Sequence, residues 1–174
     1  FQTGVENEWV RNQHANCQSQ QTTVRVGGEY SLQPIGDDKG IEVLKPNTHL
    51  QISRRLCGQI VEQAEGRCVV ALELLEEMRA DDRGLVHGGF IFGAADYAAM
   101  LAVNDPNVVL VTAEIKFVRP SQVGEVLTFE ARIETTLGKR RSVAVVGRRA
   151  DGIAAFIGSF SCVVTSAHVL DSAA

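Results

Sequence analysis

The sequence predicts an α+β domain in which a strongly curved antiparallel sheet wraps a long central helix and the assembly closes by dimerisation. Three observations carry this. Residues 88–103, GGFIFGAADYAAMLAV, are free of Pro and rich in Ala, the strongest helix former. A helix apolar on nearly every side must be covered all round. The segments flanking it read as strands, two before and four after, with apolar runs or period-two alternation between turn signals. One sheet covers such a helix only by curling around it, and its far side calls for a second copy of the chain.

The elements follow in order. Residues 1–40 are rich in Gln and Asn, lack apolar periodicity, and form an extension with a short hairpin expected around Gly27-Gly28. The domain proper spans 41–168, and 169–174 are a tail. Pro46 with Asn47 or Thr48 as N-cap, then Leu50, Ile52 and Leu56, predicts a short helix. CGQIVEQAEGRCVVALELLEEM predicts two strands turning near Glu65-Gly66. The long helix runs from Gly88 to Val103, stopped by Asn104 and Pro106. Four strands follow. NVVLVTAEIKFV ends at Arg119-Pro120, and EVLTFEARIETT alternates clearly. RSVAVVGRRA and IAAFIGSFSCVV are separated by the turn at 150–152, and the turn at 137–141 joins the middle pair.

Composition narrows the function. A net charge of −4 argues against broad nucleic-acid binding. No apolar run approaches a membrane span, and no signal peptide is expected. The four cysteines form no C-x-x-C pair, so free thiols in a cytoplasmic protein are expected, with no metal site.

Chemistry concentrates in the helix. Asp96 is a lone carboxylate in an apolar segment, and an unpaired buried charge costs several kcal/mol. Three roles compete: reaching water at the helix edge, pairing with a cation for structure, or working in a cavity where burial raises basicity. Gly88-Gly89 open the helix. Its first N–H groups lack partners, the dipole adds positive potential, and glycine lets a ligand approach the backbone, which suits a developing oxyanion. The competing role is close packing of the helix start on a strand. Gly88 and Asp96 lie about 12 Å apart along the axis, too far to serve one reacting centre. Two helices antiparallel across a two-fold axis would bring one Gly end towards the other Asp, giving two sites shared between subunits.

GLVHGGFIFGAADYAAMLA resembles the helix signature of acyl-CoA thioesterases of the phenylacetyl-CoA and 4-hydroxybenzoyl-CoA type, which carry the hot-dog fold. His87 and Asp96 keep the family's spacing of H-G-G and acid, and KFVRPSQVGEVLTFEARI resembles its following strands. The likeness covers roughly residues 45–166. It implies Asp96 as nucleophile or general base, the Gly88 N–H polarising the thioester carbonyl, and His87 positioning substrate or supporting the loop. Coenzyme A would enter as part of the substrate, with no separate cofactor. Dimers, often paired into tetramers, would hold the sites. Asp81, a candidate substrate contact, stands where many members have Asn, and an ionised Asp accepts but does not donate; the competing role is an acidic loop residue bonding turn amides. Met100 stands where some relatives have Thr, with Thr112 or Glu114 as substitutes. Gly89, Phe90, Phe92 and Tyr97 are candidates for the substrate groove. Arg119, Lys139, Arg140 and Arg141, then Arg148 and Arg149, are candidates for the phosphates of coenzyme A.

Three other functions are weighed. An acyl-CoA sensor would be expected to lack the helix acid. A hydratase or dehydratase on this fold resembles an H-F-P signature that is absent here. A structural dimer would use Asp96 only for pairing.

Overall fold

The computed structural model describes residues 44–171. The expected extension over 1–40, its hairpin, and residues 172–174 lie outside the described residues. The described elements are α1 (Arg54–Cys57), β1 (Gln59–Ala64), β2 (Arg67–Glu73), a 3-10 turn (Glu76–Met78), α2 (Gly88–Val103), β3 (Val108–Phe117), β4 (Val126–Leu137), β5 (Arg140–Arg148) and β6 (Ala154–Val164). The expected order of two strands, helix and four strands therefore holds.

The six strands form one sheet in the order β1-β2-β4-β5-β6-β3, each neighbour antiparallel. Counting directions across that order makes β2 and β3 parallel. The connection between them must cross the intervening strands, and α2 is that crossover. The helix consequently lies along the face of the sheet.

Apolar residues at alternate strand positions face it, among them Val70, Leu72, Leu127, Phe129, Val143, Val145, Phe156 and Phe160, all essentially inaccessible. Each such side chain contributes roughly 1.5–3 kcal/mol by burial. The helix answers with small residues: Ala94, Ala95, Ala98 and Ala99 are fully buried, so its backbone sits close to the sheet. Where the sheet bends around it, Gly147 and Gly158 make room. A side-chain carbon on either would stand 2.7 Å from the ring of Phe129 or Phe160 respectively.

The helix ends where the sequence places the stop. Asn104 takes the left-handed conformation (φ 53°), which Asn and Gly tolerate best. The helix expected over residues 47–56 is shorter, confined to Arg54–Cys57. His49 has a positive φ of 52°, and the Asn47 N–H donates to Asn104 Oδ1 at 2.7 Å. Anchoring to α2 draws the chain out of helical geometry. No helix among the described residues is long and apolar enough to cross a membrane.

Candidate active site

The loop before α2 is shaped by Asp81. Its Oδ1 accepts from the N–H groups of Arg83 (2.9 Å) and Leu85 (3.0 Å). This is an acidic turn residue satisfying its own loop, so the carboxylate offered as a substrate contact is engaged in structure. The loop is further tied down by Val86 N–H to Ser121 O and His87 N–H to Met78 O, both 2.9 Å.

His87 is the N-cap of α2, and its Nδ1 accepts the Gly89 N–H at 3.0 Å. A ring nitrogen that accepts carries no proton, so this bond assigns the neutral ring's hydrogen to Nε2. His87 thus supports the loop, one of the two roles expected of it. Gly89 spends its N–H on the cap and has none left for a ligand. A side chain there would stand 2.8 Å from the imidazole. No hydrogen bond among those of the described residues uses the Gly88 N–H, which remains the donor at the helix start. Gly88 also has a packing reason: a side-chain carbon on it would lie 2.9 Å from the Phe117 ring. The packing role offered for the glycine pair is therefore visible at Gly88.

Two turns further on, Asp96 is half-buried, and its Oδ1 is sealed from solvent without a hydrogen-bond partner. Burial raises its pKa to about 6. No Arg or Lys lies near enough to offset this, so the pairing role weighed for Asp96 is absent within the described chain. Two thiols feel its charge. Cys57, at the end of α1, is pushed up by burial and then by Asp96. Cys162, on β6, is raised to about 12 by burial and then by Asp96. Phe92 stacks on Phe160 with centroids 5.9 Å apart. A side chain on Gly93, one turn before the acid, would meet nothing within 4 Å.

Other candidates fall elsewhere. Tyr97 is 1% exposed and packs beside His49; it is core and walls no groove. Phe90 is half-buried, edge-on to the His87 ring at 6.3 Å. Thr112 does not face the helix. A bulge between Leu110 and Thr112 shifts the register, pairing Leu110 with Cys162 and Thr112 with Ser161. Leu110 and Cys162 join the core, while Thr112 and Ser161 point outwards and are exposed. Glu114, paired with Ser159, is exposed on that same face. Neither substitutes for the missing Thr near Asp96.

The cations separate into two groups. The Arg119 N–H donates to Ala155 O, and Arg148 pairs with Ala154, so these lie at the start of β6 with Arg149. Lys139 O accepts from Val164 N–H at its other end, and Arg141 donates to Gly138 O and Arg140 O in its own turn. β6 has 11 residues, about 35 Å of strand, so one chain cannot gather all of them on one ligand. Arg140 and Arg141 border a surface hollow of about 190 Å³, and another of about 260 Å³ lies between His49 and His168. Asp96 and Gly88 line neither hollow.

Sequence reasoning missed three partners. Cys162 was findable as an inward position of β6. Cys57 and Phe117 carried no signal, because their placement depends on how α1 and the end of β3 meet α2.

Comparison with known proteins adds the lineage. Residues 83–155 match the thioesterase superfamily model. Protein PH1136 of Pyrococcus horikoshii is 47% identical, with a TM-score of 0.72 over 74% of this chain and 98% of that one. Cj0977 of Campylobacter jejuni, described as a sigma28-regulated virulence protein, is 33% identical, with a TM-score of 0.68 over 71% and 87%. The protein smu.793 of Streptococcus mutans, solved bound to acetyl-CoA, is 20% identical, with a TM-score of 0.62 over 70% and 99%, a likeness of fold. A stretch of 98 residues, 56% of this chain, is 54% identical to part of a methylthioribose-1-phosphate isomerase of Aquifex aeolicus, and spans only 22% of that protein. The curved sheet on its central helix, the capped H-G-G start and these relatives together show that the chain belongs to the hot-dog-fold thioesterase superfamily.

Proposed function

We propose that this protein hydrolyses acyl-coenzyme A thioesters, with Asp96 as nucleophile or general base and the Gly88 N–H of a partner subunit as oxyanion donor. The observation that carries the reading is Asp96: a carboxylate on the central helix with a buried, unpartnered oxygen, its pKa raised to about 6. Such a group is ionised at neutral pH yet more basic than an exposed Asp.

Acting as a base, the carboxylate takes a proton from water as the water oxygen attacks the thioester carbon. The carbonyl oxygen becomes an oxyanion facing the Gly88 N–H. Collapse breaks the C–S bond, and the departing coenzyme A thiolate takes the proton from Asp96. Acting as a nucleophile, the carboxylate would attack the thioester carbon and expel the coenzyme A thiolate, leaving a mixed anhydride that water then cleaves to the free acid and the aspartate. A positioned base contributes about 10²–10⁴-fold, and one oxyanion donor roughly 3–4 kcal/mol. Coenzyme A is part of the substrate and no other cofactor is needed.

A dimer fits the geometry. β3 ends the sheet, and Val111, Phe117 and Val118 beside its free edge are exposed, as an edge awaiting a strand would be. Antiparallel self-pairing would set each Phe117 end, and the Gly88 it packs on, beside the other chain's Val108 end. The superfamily match and the acetyl-CoA in the structure of smu.793 support coenzyme A as carrier. The described cysteines are free thiols, in keeping with a cytoplasmic setting.

The test is thiol release from short, branched, aromatic and long acyl-CoAs by wild type and Asp96→Asn. Hydrolysis of one class that collapses in the variant supports the reading and names the acyl group. Equal hydrolysis by both would remove Asp96 from the mechanism. A second reading, an acyl-CoA-binding module that does not hydrolyse, is favoured by the related stretch being a small part of a longer isomerase chain. Binding without hydrolysis would select it.

A further inference from the structure

We infer that Asn104 is a positioning residue for the Asp96 site, latching residues 44–57 as a strap along α2 so that the flank of the helix beside the acid stays closed. The inference rests on the reading of Asp96 as the working group.

The latch is double. The side-chain amide of Asn104 accepts from the Asn47 N–H at 2.7 Å and donates to Lys45 O at 3.1 Å. One residue thereby holds two points of the strap while its own backbone ends the helix at φ 53°. From there the strap runs back along α2. Thr48 is 4% exposed, and its hydroxyl bonds the His49 ring at 2.8 Å. That ring packs against Tyr97, next in sequence to the acid, with centroids 6.4 Å apart. Ile52 and Leu56 pack on the core, and α1 delivers Cys57 to within reach of the Asp96 charge. The latch and the acid are eight residues apart, about 12 Å along the axis, and the strap spans that interval.

The strap is held to α2 by few bonds and has no regular structure before α1. Loss of the Asn104 amide should therefore loosen it without unfolding the sheet. Water would then reach the flank of Asp96, favouring its charged form and lowering its pKa. The titratable groups facing Asp96 are the Cys57 thiol from α1 and the Cys162 thiol from β6. Both are neutral where the acid titrates. No charged side chain of the described strands couples to it.

The decisive experiment compares Asn104→Gly, Asn104→Asp and Val146→Ala in the full chain. Gly keeps the left-handed helix end and removes both bonds. Asp keeps the acceptor for Asn47 N–H and cannot donate to Lys45 O. Val146 is buried on β5 outside the cluster around α2, so its truncation supplies a loss of stability away from the strap. The readout is the titration of the Asp96 carboxyl carbon by NMR, assigned through its loss in Asp96→Asn, alongside the acid limb of kcat/KM. We expect Asn104→Gly to lower the Asp96 midpoint by about half a pH unit or more towards the ordinary carboxylate value. Asn104→Asp should lie between, and Val146→Ala should leave it unchanged. An Asp96 midpoint unmoved in a folded Asn104→Gly would overturn the inference and leave Asn104 a helix stop. Should that variant not fold, an unmoved midpoint in Asn104→Asp decides in the same sense. The NMR titration is independent of turnover. A wild type that hydrolyses nothing would sink the thioesterase reading while the latch is still judged.

Discussion

The ring of Phe117, at the end of β3, occupies the space where a side chain on Gly88 would begin, with the two positions 2.9 Å apart. The end of the edge strand therefore fixes the height of the helix start, and with it the N–H that would polarise a substrate. Gly88→Ala should force the ring aside and cost about 1–3 kcal/mol of stability, as overpacking does. Activity should fall as the donor shifts. Pairing it with Phe117→Leu should recover part of the melting temperature, measured by calorimetry. No recovery in the double variant would mean that the ring is not what excludes a side chain.

His87 caps α2 through Nδ1, so His87→Ala should cost about 1 kcal/mol, the usual worth of a side-chain cap. Asn is among the best N-caps, so His87→Asn should restore most of that loss. Denaturant midpoints of the three proteins check this. Equal losses in both variants would point away from capping.

Asp96 links stability to pH. In the folded protein it holds its proton up to about pH 6, whereas an unfolded Asp releases it near 4. Between those values the folded state binds more protons. The contribution is full below the unfolded pKa and is lost as pH rises through the folded one, worth up to about 3 kcal/mol. Asp96→Asn should be more stable than wild type at pH 7.5, with the gap closing towards pH 4. For catalysis the sign is opposite, since the working form is the carboxylate: kcat/KM should rise with pH through about 6.

Val111, 55% exposed at the bulge of the edge strand, offers a place to interrupt self-pairing. Val111→Lys should shift sedimentation from dimer to monomer, because edge lysines oppose strand addition. A monomer has Gly88 and Asp96 on one helix only, so turnover should fall with the dimer. A monomeric variant with full activity would show that one chain carries the whole site.

The helix and all six strands were legible because each announces itself locally, by Ala content, alternation or a Gly turn. The boundaries of α2 at Gly88 and Val103 match the expectation, since Gly-Gly and Asn104 mark them chemically. The segment before α1 was misread because a contact 57 residues away overrides its N-cap pattern. Asp96 stood out by composition alone. Thr112 was offered as a helper because a simple count along β3 has no knowledge of the bulge, which turns that hydroxyl to the outer face. The cations were grouped by type and proximity in sequence, and strand direction then carried them to opposite ends of β6.

The position of β3 at the edge has a consequence for synthesis. Its only strand partner among the described residues is β6, the last strand described, with Phe117 beside Phe156 and Val108 beside Val164. Cys162, whose thiol feels the charge of Asp96, arrives on that same strand. Such distant pairings form slowly. While the chain is still emerging from the ribosome, the carboxylate must sit in water as an ordinary aspartate. It gains its raised affinity for a proton only on burial, so a chain not yet folded around it carries the acid without its chemistry.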